Sequence, residues 1–322
     1  MVSSTDVQKL FLQSLLSRPF VSATLAQTIW ARCVAAVKAA DPTLQIQHSS
    51  NRLAWDDFVA RINVDLNGLD LEFKNLHDEN TGREMYCLVN LKGDDVAQLA
   101  TDYTPNEIAF FKAILEQIML APHESYCISS LAALREVSNL KSSMTKTQGE
   151  LLLSSFVAKG WLHKTKRGRY TLSTRTELEL LQYLKSTYPE EVLDCNVCDK
   201  IITRGIACPN ADCQNRMHFH CFATYRRQKG TCPDCTTDWP REATDGGLIP
   251  IGEGAARDGQ DAKRRVRVRS VDTSDDDSDE GDAEGEDEDE PAATQQSMDV
   301  DEDIKPKKEG KGKGKGKARA RR

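Results

Sequence analysis

Residues 195–235 read CNVCDKIITRGIACPNADCQNRMHFHCFATYRRQKGTCPDC and contain seven of the chain's ten cysteines. A Cys-x2-Cys pair stands at each end of this stretch, with a histidine between them, a pattern typical of zinc-binding domains. Thiolates and imidazole suit the tetrahedral preference of zinc, and closely spaced pairs reverse the chain around the ion. We predict two closed, structural four-ligand sites, made by Cys195, Cys198, Cys208, Cys213, His218, Cys221, Cys232 and Cys235.

The choice of histidine follows from local geometry. His218 lies three residues before Cys221, so both side chains can reach one ion, whereas His220 is directly adjacent to Cys221 and cannot easily share a metal with it. The alternative to zinc is a redox or disulfide cluster. Because cysteine usage is low overall and the N-terminus does not resemble a signal peptide, we expect a reducing, intracellular compartment instead. No apolar stretch reaches the ~18–20 residues of a membrane span, so we expect no membrane contact.

The sequence ahead of the cysteines repeats one outline twice. Helical spacing of apolar residues over 6–18, 22–40 and 51–66 is followed by two strands within 69–91. The same order returns with helices at about 105–120, 130–140 and 145–159, a hairpin at 161–173 and a closing helix at 175–188. Three helices and a hairpin are the outline of a winged helix. We therefore predict an α+β chain with winged-helix units at 1–98 and 99–190, a zinc finger at 191–240 and a disordered tail at 241–322.

The hairpin of the second unit carries four cations, Lys164, Lys166, Arg167 and Arg169. A winged helix can read DNA by placing its last helix in the major groove while the wing contacts phosphate. That helix, TKTQGELLLSSFVAK, has only Lys146 and Lys159 as cations and a continuous LLL that favours burial. We expect a structural or protein-docking unit, with weak DNA contact through the wing as the alternative.

Charge separates the tail from the rest of the chain. Residues 241–322 hold 17 basic and 23 acidic side chains and none of the 20 aromatic residues, while residues 1–240 have a net charge of only −1. The near-neutral front argues against general coating of nucleic acid. Within the tail, a basic cluster at 263–269, an acidic block at 271–304 and a basic end at 305–322 follow one another. A solvated polyampholyte is one interpretation; import signals, nucleic-acid contact and phosphorylation of Ser274 and Ser278 are the others.

The motifs CNVC, RMHFHC and CPDC, with the trailing DWP, resemble the RING-like finger of the non-structural maintenance of chromosomes element 1 family. In that family two winged-helix units precede the RING, as inferred above from periodicity alone. The resemblance covers about residues 1–242. It implies a cross-brace with two Zn²⁺ ions, one held by Cys195, Cys198, His218 and Cys221, and the other by Cys208, Cys213, Cys232 and Cys235.

The resemblance also implies a function in the nucleus, on the chromosome. The family supplies a subunit of the SMC five/six complex, which acts in DNA repair, and its winged helices dock a MAGE-family subunit and a kleisin subunit. Its RING acts as a ubiquitin ligase together with the MAGE partner. By similarity, Val197 and Pro233 would contact the ubiquitin-conjugating enzyme, unless they serve only the packing of the zinc loops. Active RINGs often carry a basic residue where this chain has Thr236, so we expect activity to depend on the partner.

Two other functions remain open from the sequence. PHD fingers, which read chromatin, share the ligand order, but they usually have a tryptophan two residues before the seventh ligand, where this chain has Gly230. The zinc module could also serve only the architecture of a complex, without ligase activity.

Overall fold

The first helical unit is built on three amphipathic helices whose apolar faces meet over a small sheet. The computed structural model describes residues 2–18, 20–91, 103–140, 143–243 and 245–267. The elements of this unit are α1 (Asp6–Leu16), β1 (Phe20–Ser22), α2 (Ala23–Ala40), α3 (Arg52–Asn67), β2 (Leu71–His77) and β3 (Glu84–Asn90). The strands are antiparallel in the order β1-β3-β2. Ser22 and Asn51 cap α2 and α3 by accepting hydrogen bonds from Leu25 N and Ala54 N.

Aromatic side chains fill the core of this unit. Phe11 contacts Phe58 edge to face at a centroid distance of 5.2 Å, and Trp30 stacks on Phe58 at 4.6 Å. The buried indole of Trp55 donates its N–H to the hydroxyl of Tyr86 at 2.8 Å, which satisfies a polar group that burial would otherwise leave unpaired.

The second helical unit repeats the element order. Its elements are α4 (Pro105–Met119), β4 (Ile128–Ser129), α5 (Ser130–Asn139), α6 (Lys146–Ala158), β5 (Leu162–Lys164) and β6 (Arg169–Leu172), with strand order β4-β6-β5. Thr104 and Glu107 form the predicted capping box of α4. Gly149 lets α5 and α6 approach closely, since a Cβ there would lie 2.7 Å from Val137. The element order is compatible with the predicted winged helices, and the assignment of both units as winged helices stays a prediction.

The closing helix predicted at 175–188 is split in two. It consists of α7 (Thr174–Glu179) and α8 (Leu181–Thr187), separated at Leu180. α7 packs on the β2–β3 hairpin of the first unit, where Thr174 donates a hydrogen bond to Asp78 at 2.9 Å. One buried apolar cluster therefore contains side chains of both units, among them Cys87, Phe156 and Leu180.

The zinc finger region has little regular structure, as the short spacing of its ligands requires. Its elements are β7 (Leu193–Asp194), β8 (Ile201–Ile202), β9 (Gly205–Ala207), β10 (Arg216–His218) and α9 (Phe219–Arg226). Gly205 is needed in the central strand, because a Cβ there would lie 2.3 Å from the carbonyl oxygen of Met217. Ile206, Met217, Phe222 and Trp239 form a small core among the cysteines.

The start of the tail is folded, contrary to our prediction that disorder begins at residue 241. Strand β11 (Ile249–Ile251) pairs antiparallel with β9, and a 3-10 turn (Glu253–Ala255) follows it. Aromatic residues are not needed here, because this segment adds to an existing core, in which Ile251 is 1% exposed, instead of forming its own. Residues 268–322 lie outside the described residues, and with them the acidic block, Ser274, Ser278 and the basic end. The predicted boundary at residues 98 and 99 also falls outside them.

The described helices include none that combines the length and apolarity needed to cross a membrane.

Candidate metal centre

The first ligand cluster consists of Cys195, Cys198, His218 and Cys221. Its ligand atoms all lie within 4.8 Å of one another, with Cys198 Sγ 3.4 Å and Cys221 Sγ 3.8 Å from Nδ1 of His218. A tetrahedron with Zn–S bonds of about 2.3 Å and a Zn–N bond of about 2.0 Å has edges of about 3.5–3.8 Å. The two S–N distances lie close to these edges, so the four side chains fit a zinc ion.

The second ligand cluster consists of Cys208, Cys213, Cys232 and Cys235. The Sγ atoms of Cys208 and Cys235 are 3.5 Å apart, and those of Cys213 and Cys232 are 3.6 Å apart. Each cluster takes one terminal Cys-x2-Cys pair and one pair from the middle of the stretch, so the two sets interleave along the chain. The predicted ligand sets and two zinc ions fit this arrangement, and each ion has four protein donors, which is the mark of a structural site.

The two terminal cysteine pairs lie in turns with matching hydrogen bonds. Cys195 N donates to the carbonyl of Lys200 at 2.8 Å, and Cys232 N donates to that of Thr237 at 2.8 Å. In the same way Asp199 N donates to Cys195 O, and Thr236 N donates to Cys232 O. The residue after each pair has a positive φ, 53° at Asp199 and 59° at Thr236. The left-handed conformation is unfavourable for a β-branched residue, so Thr236 is held under strain by the turn.

The orientation of His218 is fixed by one partner inside the zinc finger and one from the first helical unit. Its Nε2 donates to the carbonyl of Ile201 at 2.9 Å and lies 3.1 Å from Oε1 of Glu79. Because a carbonyl only accepts, the proton is on Nε2, and the lone pair of Nδ1 faces the cysteines. Such second-sphere partners set the tautomer and the basicity of a histidine ligand. His220 is not a ligand; its ring stacks between His218 and His77 at centroid distances of 4.8 and 5.1 Å.

Glu79 is a functional residue that sequence reasoning missed. It belongs to the DENTG turn between β2 and β3 of the first helical unit, far from the cysteines in sequence. Its carboxylate also accepts hydrogen bonds from Thr203 N at 2.9 Å and from Thr203 Oγ1 at 2.7 Å. The residue is only 7% exposed. Nothing in the spacing of residues 195–235 indicates this contact, because it depends on packing between two parts of the chain.

A second buried carboxyl, Glu177 of α7, lies beside the same threonine. Its Oε1 is 3.0 Å from Thr203 Oγ1. The hydroxyl has a single proton to donate, and Glu79 accepts it. Burial, followed by the nearby charge of Glu79, holds the pKa of Glu177 well above its usual range. The raised pKa favours the protonated carboxyl, which can donate to Thr203 and so relieve the repulsion between the two carboxyls.

Comparisons with known proteins agree with this arrangement. Residues 8–180 match the family model described as "Nse1 non-SMC component of SMC5-6 complex", and residues 195–235 match the model of the RING-like domain. The human protein called non-structural maintenance of chromosomes element 1 homolog is 34% identical over 241 residues, covering 74% of this chain and 85% of the relative. The chain belongs to the Nse1 family.

Further relatives support this membership. The Schizosaccharomyces pombe protein called non-structural maintenance of chromosomes element 1 is 29% identical over 184 residues, covering 57% of this chain and 76% of the relative. A chain of the solved structure called "Nse1-Nse3-Nse4 complex" matches with a TM-score of 0.61 and 30% identity, over 73% of this chain and 96% of that chain. The resemblance inferred from the zinc ligands is thus confirmed.

In this Nse1-family chain, Val197 and Pro233 lie in the two terminal turns, one in each. Pro233 directly follows Cys232, whereas Val197 is the second residue after Cys195, and both are exposed, Val197 to 42%. Neither fills the core among the cysteines. Both are accessible to a partner protein, and their role as its contact stays a prediction.

The four predicted wing cations of the Nse1-family chain do not remain together. Lys164, Lys166 and Arg167 are exposed on the hairpin. Arg169 instead forms an ion pair with Asp261 at 2.6 Å and donates from Nε to Cys127 Sγ at 3.0 Å. Its side chain is 17% exposed, so it stabilises the fold and is not available as a DNA contact. The prediction of weak DNA contact is left with the other three side chains.

Proposed function

We propose that the chain is a subunit of an SMC5-6 complex and acts there as a RING-type ubiquitin ligase that depends on a MAGE-family partner. The observation that carries the proposal is the pair of interleaved four-ligand clusters in a domain of RING-like sequence, with an exposed apolar side chain on each terminal turn. The match to the RING-like model also favours this function over a PHD-like reader.

Such a ligase catalyses transfer by orienting the conjugating enzyme and its thioester-linked ubiquitin. The zinc-bound turns would present Val197 and Pro233 to a ubiquitin-conjugating enzyme, whose thioester-linked ubiquitin is then attacked by a lysine of the substrate. Holding the thioester in one productive geometry removes rotational freedom that otherwise opposes the attack. Zinc in these sites would take no part in the bond changes, because each cluster supplies four protein ligands and would leave the ion no open position.

Dependence on a partner follows from Thr236. This residue comes directly after the last ligand, where its hydroxyl donates to the carbonyl of Cys235 at 2.7 Å. It offers no cation to hold ubiquitin and the conjugating enzyme together. We propose that a MAGE-family subunit supplies the missing stabilisation and that a kleisin subunit completes the assembly. The similarity to a chain of the solved Nse1-Nse3-Nse4 complex supports partners of this kind. The names of the matching family model and of the human relative support a place on the chromosome, and we propose that the complex acts there, in the nucleus, in DNA repair.

The test is reconstitution of the full chain with a MAGE-family and a kleisin subunit, followed by assays of complex formation and ubiquitin transfer. The metal control is a variant with Cys195→Ser and Cys198→Ser, and the surface control is Val197→Asp, which leaves every ligand in place. We expect transfer only in the assembled complex and its loss in both variants. Equal transfer in wild type and in Val197→Asp would contradict the proposal that Val197 contacts the conjugating enzyme. If the complex retains zinc but transfers no ubiquitin, the chain is an architectural subunit and not a ligase.

A second, weaker activity is proposed for the wing. Lys164, Lys166 and Arg167 belong to one hairpin of the second unit and are exposed together. Three cations suffice for salt-dependent contact with phosphates, and such contact carries no sequence information.

A further inference from the structure

The folded segment at residues 245–267, here called the strap, joins the RING-like module to the second helical unit. At one end, β11 of the strap is the third strand of the sheet β10-β9-β11. At the turn that follows, Gly252 N donates to the carbonyl of Glu124 at 2.8 Å, and Glu253 accepts a hydrogen bond from Thr165 at 2.6 Å. Gly252 has φ of 90°, a conformation that favours glycine.

The C-terminal part of the strap is bound to the second unit through hydrogen bonds and ion pairs of Asp261. Its carboxylate accepts hydrogen bonds from Arg169 at 2.6 Å and from Ser129 N at 3.2 Å, and it also pairs with Arg265 of the strap itself. All three charged side chains are 17% exposed or less. Ion pairs that are shielded from water in this way hold one geometry, because separating them leaves a charge without a partner.

Two buried polar side chains of the second unit find their partners in the strap. Gln117 of α4 accepts from Arg265 N at 2.9 Å and donates to the carbonyl of Arg265 at 2.7 Å. Glu136 of α5 accepts from Arg264 at 2.9 Å. Gln117 and Glu136 are 3% and 2% exposed, so without the strap both would have to be solvated anew or left unpaired. The basic cluster predicted as a solvated or import segment is thus partly built into the fold.

From these contacts we infer that the strap is a positioning element for ubiquitin transfer and that Asp261 is its latch. The inference rests on the proposed ligase function. The contacts that hold the RING-like module include the strap, Glu79 of the first unit, and the ion pair between Arg216 and Glu124. A conjugating enzyme bound at the zinc turns is thereby held in a fixed orientation relative to any partner docked on the helical units. Asp261 does not touch the conjugating enzyme's proposed site and acts only through the strap.

The inference is tested in the full chain, loaded with zinc and assembled with its partners. Asp261→Asn is compared with Asp258→Asn, a control at an exposed position of the same loop. Three quantities are measured: hydrogen exchange of residues 249–251 and 205–207, the affinity for the conjugating enzyme, and the single-turnover rate of ubiquitin discharge. Arg264→Gln, at a side chain that is 41% exposed, serves if Asp261→Asn does not fold.

We expect exchange of the strap to accelerate about tenfold or more in Asp261→Asn, since a charged hydrogen-bond network is broken. The discharge rate should fall by about tenfold, because orientation is lost, while zinc content and enzyme affinity stay as in wild type. A loss of affinity equal to the loss of rate, an unchanged discharge rate despite faster exchange, or unchanged exchange would each overturn the inference. If the wild-type complex discharges no ubiquitin at all, the proposed ligase function fails and the positioning inference fails with it. Faster exchange in Asp261→Asn would then establish the latch only as a structural contact.

Discussion

Replacing Glu79 with alanine tests whether the first helical unit controls a zinc site to which it contributes no ligand. The carboxylate accepts hydrogen bonds from Thr203 N at 2.9 Å and Thr203 Oγ1 at 2.7 Å and lies 3.1 Å from His218 Nε2. After the change, His218 still has the carbonyl of Ile201 at 2.9 Å, and the hydroxyl of Thr203 can turn to Glu177. The backbone amide of Thr203 is then the group left without an acceptor.

The expected loss of stability follows from these contacts. One buried amide left unsatisfied costs about 1–3 kcal/mol, and the lost charge-assisted bonds add to it. We expect the free energy of unfolding to fall by about 2–4 kcal/mol. Loss of a second-sphere partner typically weakens metal binding by about 10- to 100-fold, and we expect this loss at the site of His218 alone.

The assay is competition for zinc between the purified chain and a chromophoric chelator, followed until both ions are released. Wild type should give two tight sites, and Glu79→Ala should give one tight and one weakened site. Glu72→Ala is the matched control, because Glu72 is a carboxylate on the same hairpin that pairs with the neighbouring Lys74 at 3.0 Å. If Glu79→Ala retains both ions as tightly as wild type and Glu72→Ala do, then the contact between Glu79 and His218 does not support the metal.

Three further predictions concern other parts of the chain. Thr236→Arg adds a cation, so it should raise the rate of ubiquitin discharge in the absence of the partner; a lower rate would refute this. Because it also removes a β-branched residue from a site with φ of 59°, it should not lower the melting temperature. Glu177→Gln mimics the protonated state of a carboxyl whose pKa burial holds well above the ordinary 4.5. Because the raised pKa lets the folded wild type retain a proton that the unfolded chain releases above that value, wild-type stability should fall as the pH rises above 4.5. Denaturant titrations should show a smaller fall in the variant. The double variant Lys164→Glu and Lys166→Glu should weaken DNA binding. It should also reduce the slope of log K against log salt concentration by about 1–2, whereas an unchanged slope would contradict a DNA contact by the wing.

Local patterns in the sequence predict much of the fold correctly. The zinc ligands were predictable because a metal fixes the residue types and the spacing of its own ligands, and His218 followed from its distance to Cys221 in sequence. The helices of both units were predictable for a similar reason, since capping residues such as Thr104 and periodic apolar side chains act within a few residues. The break at Leu180 was missed, because no local signal such as a glycine or a proline marks it.

The other features that escaped prediction depend on contacts between residues that are far apart in sequence. Glu79 reads as part of a polar turn, and only the packing of distant parts of the chain brings it to His218. The strap lacks aromatic residues, so its sequence suggests a solvated segment. The side chains of Asp261 and Arg265 are nevertheless each only 10% exposed. They are buried because the second unit supplies Arg169 and Gln117 as their partners. A count of charges cannot reveal such partners, since they lie about 90 to 150 positions away in sequence.

Ubiquitin transfer by this zinc module should depend on orienting a conjugating enzyme within a partner-bound complex. The most direct measurement is the single-turnover rate at which a thioester-loaded conjugating enzyme discharges ubiquitin to free lysine, with and without the reconstituted complex. We expect the complex to accelerate discharge, Val197→Asp to abolish the acceleration, and the isolated chain to have little effect. Discharge that is no faster with the zinc-loaded complex than with the enzyme alone would contradict the proposed ligase function.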